Sequence, residues 1–122
     1  MTEARARKYR QRMFAEQHER CFYCDFPMWT KQPETFARRF GISLKEAGRF
    51  GCTAEHLVAI CDQGTSRREN IVAACRFCNY NRHARALPQP PEKYRRLVQG
   101  RVARKSWHPP WPHKMLAALP VT

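Results

Sequence analysis

The chain has 122 residues, with 23 Lys plus Arg against 10 Asp plus Glu and a formal charge of +13. That length is one domain's worth with a modest core. The charge opposes self-association and favours a polyanionic partner, nucleic acid first, although a ribosomal or merely soluble basic protein would share it. No apolar run approaches the roughly 20 residues of a membrane span. The first twenty residues lack the apolar stretch of a secretory signal, and Glu3, Glu16 and Glu19 argue against a transit peptide. A cytoplasmic location is therefore expected, with the six cysteines reduced and metal binding ahead of disulfides.

In chain order, residues 3–20 hold good helix formers without Gly or Pro, and Thr2 is a candidate cap. They predict a basic helix, or an arm that orders on its partner. "CFYCDFPM" is a tight cysteine-bearing turn. "ETFARRFGISLKEAGRFG" predicts two short helices broken at Gly41, with Ser43 capping the second. This is too short for a DNA-reading helix-turn-helix. It is expected to act as a spacer over 33–50 that packs Phe36, Phe40, Leu44 and Phe50 over the core.

"CTAEHLVAIC" predicts a strand, "DQGTSRREN" a polar loop turning at Gly64, "IVAAC" a second strand and "RFCNYNRHARAL" a helix that stops before Pro88. The centre is thus β-β-α over 52–87. A Pro-rich link leads to a basic helix interrupted at Gly100, and the Pro- and Trp-rich tail is expected to lie along the surface. The fold class is α+β. The domain plan is a basic helix over 1–20, a metal-braced unit over 21–87, and a basic helix with a tail over 88–122.

Cys21-x-x-Cys24 and Cys75-x-x-Cys78 are two knuckles, each presenting two thiolates on one turn. Together they complete a tetrahedral four-cysteine zinc site, closed and therefore structural. A redox role for either pair would call for a βαβ setting, which the pattern lacks. Cys52 and Cys61 remain as small buried hydrophobes.

The segment around the second knuckle carries more than zinc needs. Glu55 and Asn79 offer oxygen and His83 nitrogen, a mix suited to Mg²⁺, Mn²⁺ or another divalent ion. Asn79 and His83 stand four apart on one helix face. His56 adjoins Glu55, and Asn70 opens the second strand.

"TAEHLV", "ENIVAACRFCN" and "NRH", with the upstream CxxC, resemble the HNH nuclease family, in particular its small stand-alone bacterial and phage members. The resemblance covers 52–83 and 21–24. It implies a ββα-metal core braced by zinc and a DNA endonuclease, nicking or cutting both strands. It implies that His56 is the general base and that Asn70 supports the loop and holds that histidine. It implies that Glu55 and Asn79 bind the catalytic ion, with His83 as an additional ligand or a phosphate-facing residue. The sequence departs from the family pattern in having Glu at the first position and Ala59 where many relatives have Pro. The partner is expected to be DNA, gripped mainly by its phosphates through Arg76, Arg82, Arg95, Arg96, Arg101 and Arg104. A zinc-braced nucleic-acid-binding module without catalysis is the alternative. Oligomeric state is left open.

Overall fold

The computed structural model describes residues 2–58, 67–109 and 115. Five helices and a two-stranded antiparallel sheet alternate along the chain. They are α1 (Thr2–Glu16), α2 (Pro33–Phe40), α3 (Leu44–Ala47), β1 (Cys52–His56), β2 (Ile71–Cys75), α4 (Arg76–His83) and α5 (Pro91–Ala103). Short 3₁₀ turns at Gly48–Phe50 and Arg68–Asn70 lead into the two strands. No described helix is long and apolar enough to cross a membrane.

The sheet register pairs Cys52 with Cys75 and His56 with Ile71. Every residue of β2 is buried, so both faces of that strand are covered. Thr53 and Glu55 point toward α4, where they meet Asn79 and His83. The alternate residues Cys52, Ala54 and His56 therefore point to the opposite face, where α1 lies. The outer edge of β2 is closed by Gln17. Its amide donates to the Ala73 carbonyl (2.8 Å) and accepts from the Ala73 N–H (3.0 Å), as a neighbouring strand would.

Helix α1 starts at Thr2 itself rather than after it and ends four residues earlier than expected. His18 and Glu19 adopt left-handed φ of 56° and 63°, which reverses the chain into the first knuckle. The spacer follows expectation at its joints. Gly41 ends α2 at φ 64°, and Ser43 with Glu46 forms a reciprocal capping box on α3. Phe36, Phe40 and Phe50 enter the core, but Leu44 is 55 % exposed. A one-turn helix has a single inward position, and Ala47 takes it. Gly51 lets the chain pass under Trp29, where a Cβ would come 3.2 Å from the indole.

Strand β1 ends at His56, short of the expected run, because Leu57 and Val58 bend away and bond to Asn70 instead, and Ala59, Cys61 and Gly64 lie outside the described residues. Helix α5 runs through Gly100 without interruption. Burying Tyr94 and Val98 outweighs the roughly 1 kcal/mol that a mid-helix glycine costs. The tail is not confined to the surface: Trp107 and His108 are buried in the same core as the cysteines. Tyr94 and Val98 of α5 belong to that core too, and Met13 and Phe14 of α1 pack against it.

Replacing Gln17 by Ala should strand the Ala73 N–H without a partner, while the Ala73 carbonyl keeps the Phe22 N–H at 3.0 Å. The expected loss is about 1–3 kcal/mol, read as a lower denaturant midpoint together with faster hydrogen exchange at Ala73. An unchanged midpoint would show that water closes this edge equally well.

Candidate functional site

Two clusters lie on either side of the β1–α4 contact. The first is the sulfur cluster. The Sγ atoms of Cys21, Cys24, Cys75 and Cys78 all lie within 4.8 Å of one another, and all four residues are buried. Cys24 and Cys75 stand 3.9 Å apart. Tetrahedral zinc with Zn–S bonds of about 2.3 Å requires sulfurs about 3.8 Å apart, so these residues are positioned to bind a metal ion such as zinc.

Donors surround the sulfurs. The backbone N–H groups of Tyr23 and Cys75 point at Cys21 Sγ, each at 3.3 Å, and that of Cys78 points at Cys75 Sγ at 3.4 Å. Trp107 Nε1–H donates to Cys78 Sγ (3.3 Å), and His108 Nε2 lies 3.3 Å from Cys24 Sγ. Such donors spread the negative charge that four thiolates bring to a dication. Burial, reinforced by the Cys21 sulfur, pushes the Cys24, Cys75 and Cys78 thiols up. Burial acts upward on Cys21 as well, but hydrogen bonds from the other three sulfurs outweigh it and hold this thiol well below its ordinary value. A divalent cation supplies the charge that lets all four ionise.

Neither Trp107 nor His108 was singled out from the sequence as part of this cluster. "SWHPPW" reads as a tail, and the only signal was an indole and an imidazole, both N–H donors, side by side. Burial lowers the His108 pKa to about 4, so the ring is neutral. Cys52 stands apart from the cluster. It is half-buried, and burial pushes its thiol up to about 12.

The second cluster is centred on Glu55, which is 1 % exposed. Its Oε2 accepts from the Tyr23 hydroxyl (2.9 Å) and from Arg82 Nη1 (3.0 Å), and its Oε1 accepts from His83 Nε2 (2.8 Å). Burial and the carboxylate raise the Tyr23 pKa far above its usual range, which keeps that hydroxyl a donor. Arg82 was expected on DNA, but it is buried and its guanidinium is committed inside. Besides Glu55 it donates to the carbonyls of His56 (3.2 Å), Leu57 (3.0 Å) and Gln89 (3.1 Å). One planar fork thus ties the end of β1, the carboxylate and the link before α5.

The structure joins Glu55 and His83 at the end of β1, and His56, the next residue of the strand, lies near enough for both charges to act on its ring. His56 is half-exposed. Burial lowers its pKa below the ordinary value, the Glu55 carboxylate opposes this, and a charged His83 would add to it. Asn70 grips the chain just after β1. Its Oδ1 accepts from the Val58 N–H (2.8 Å), its Nδ2 donates to the Val58 carbonyl (3.0 Å), and its own carbonyl accepts from Leu57. Asn79 is not among the partners of Glu55. It sits one turn before His83, and its Nδ2 donates to Thr53 Oγ1 (2.9 Å), bracing α4 on the sheet. The arginines Arg76, Arg95, Arg96, Arg101 and Arg104 are all exposed, with Arg95 over the Phe22 ring and Arg101 over Trp107.

As a divalent-ion site the second cluster offers Glu55 and His83 in contact, with the expected third ligand Asn79 one helical turn away and bonded to Thr53 through its Nδ2. Two adjacent ligands of an octahedral ion at about 2.1 Å stand about 3 Å apart. The Glu55 Oε1 to His83 Nε2 separation of 2.8 Å suits that as well as it suits a hydrogen bond. A carboxylate with an imidazole favours Mn²⁺ or a later transition metal over Mg²⁺. The four cysteines are the only set of three or more His, Cys, Asp and Glu ligands within reach of one ion among the described residues. An ion at Glu55 would therefore take the rest of its shell from water and phosphate. No protein-family model, curated protein or solved structure matches this chain.

The purified protein should carry about one tightly held zinc per chain. Cys21→Ser or Cys78→Ser should release it and unfold the chain, as read by elemental analysis and circular dichroism. A folded, zinc-free wild type would contradict this. Arg82→Ala should cost about 3–5 kcal/mol by leaving the buried Glu55 carboxylate unpaired. Adding Glu55→Gln to that variant should restore much of the loss. Strictly additive losses in urea unfolding would mean that the ion pair is not coupled.

Proposed function

We propose that this protein is a zinc-braced, metal-dependent DNA endonuclease of the HNH type. The observation that carries this is the Glu55–His83 contact at the end of β1, with His56 next in the strand and within reach of both charges, on a chain of charge +13. Around it, two strands and a helix follow one another in the order that the resemblance implies.

The roles follow from the side chains. Glu55 and His83 would hold a divalent ion, which when bound stabilises the charge developing on a phosphate oxygen and on the departing oxygen. Burial keeps His56 neutral at pH 7, so its ring can accept a proton from an attacking water. Asn70 fixes the loop that follows His56, and Arg82 fixes the His56 carbonyl, so the ring is held from both sides of the backbone. Tyr23 and Arg82 occupy Oε2 and aim Oε1 at His83. The exposed arginines of α5 would grip phosphates without reading bases.

A second reading, a nucleic-acid-binding module without catalysis, is favoured by one observation. Arg82 already neutralises Glu55, as a purely structural ion pair would.

Incubating supercoiled plasmid with the protein, with Mn²⁺ or Mg²⁺ and with or without EDTA, separates the two. Metal-dependent nicking is expected. His56→Ala should lower it by about 10²–10⁴-fold while the fold and DNA binding stay intact. Binding without any cleavage, under every metal tried, would leave the binding module as the function.

A further inference from the structure

The face of the sheet from which His56 projects also carries a groove of about 570 Å³, lined by Ala4, Arg5, Lys8, Tyr9 and the 67–69 segment. Four cations meet there, Arg5 and Lys8 from α1 with Arg67 and Arg68 from the 3₁₀ turn, against one lining acid, Glu69. The two sets lie some sixty residues apart in sequence and meet only in the fold. Converging like charges opposes folding. An ion pair in the region, Arg68 with Glu16, spans 3.7 Å between half-exposed side chains and holds little energy. Such a pair can exchange its carboxylate for a phosphate at small cost. Tyr9 adds an aromatic wall, with Lys8 and Arg12 each 6.0 Å from its ring centre.

The groove is also close to the candidate catalytic residue. Arg68 precedes Ile71 by three residues, and Ile71 is the register partner of His56. Three residues span at most about 10 Å and the step across to His56 adds about 5 Å, together about four nucleotides at 3.4 Å per step along a strand.

We propose that this groove is a phosphate-binding track for duplex DNA, continuing from the scissile bond at His56 across Arg67 and Arg68 to Arg5 and Lys8 of α1. This placement rests on the nuclease reading, while the binding of DNA in the groove does not. The track gives α1 a role as one wall of the substrate channel. Its lining comes from α1 and the 67–69 segment and not from α4, so the DNA leading away from the scissile bond is held on the α1 side.

The test compares two paired variants, Arg5→Ala/Lys8→Ala and Arg67→Ala/Arg68→Ala, with a charge-matched control at exposed sites away from the groove, Lys31→Ala/Lys45→Ala. Affinity for a short DNA duplex is measured over a salt series. Each groove pair should flatten the slope of log K against log salt by about 1–2, at about 0.9 per phosphate contact, and the control should barely change it. With plasmid, the groove pairs should raise KM and leave kcat at saturating DNA close to wild type. Slopes equal to the control would overturn the track, as would losses confined to duplex RNA. A lower kcat with an unchanged slope would also overturn it, since the residues would then act on the fold or the chemistry. If the wild type cuts no plasmid, the nuclease reading falls and the salt slopes alone decide the track.

Discussion

Four sulfur atoms set the geometry on which the rest of the molecule depends. The first knuckle follows α1 and the second joins β2 to α4, so closing the cluster fixes three elements against one another at once. A chain of this length buries a modest core, and the cluster adds a fixed point at its centre. Because Cys75 ends β2 and Cys78 sits in the first turn of α4, the helix leaves the strand at a defined angle. That angle puts Asn79 over Thr53 and His83 over Glu55, one helical turn matched to one strand repeat.

Glu55 is the second organising point, and it is of a different kind. Zinc would tie the chain through ligand bonds, whereas Glu55 ties it through a buried charge that must be satisfied. Tyr23, Arg82 and His83 come from the first knuckle and from α4, so one carboxylate checks that all these parts have arrived. Buried ion pairs add little net stability, but a misplaced partner is costly. Arg82 extends the check to the 57–58 loop and to the link at Gln89. The residue that orients the candidate site thus also anchors the connection to α5.

What could be read from sequence was whatever depends on spacing. Two CxxC pairs give the cluster, Gly41 and Ser43 give the joint between α2 and α3, and four-residue spacing puts Asn79 and His83 on one face. Spacing does not say which acceptor a side chain will reach. Arg82 reads as one more exposed arginine in a basic chain, because only the folded register brings Glu55 and three carbonyls to it. Asn79 faces the sheet as expected, but the strand presents Thr53 at its level and Glu55 one step on. Gly100 looked like a break because local propensity was weighed without the core that Tyr94 and Val98 enter.

The placement of Trp107 and His108 changes what counts as the smallest independent unit of this protein. Residues 21–87 contain both knuckles and every residue of the candidate site. The Cys78 and Cys24 sulfurs nevertheless take partners from the Trp107 and His108 side chains, well downstream of that stretch, and Tyr94 closes over the Cys78 carbonyl. A fragment trimmed to the cysteine-bearing segment would keep all four ligands and lose the lid that holds water off them. The four-cysteine cluster and the C-terminal helix are therefore expected to behave as one cooperative unit in unfolding and in exchange with solvent, and a metal held there would depend on the tail as well as on the two turns.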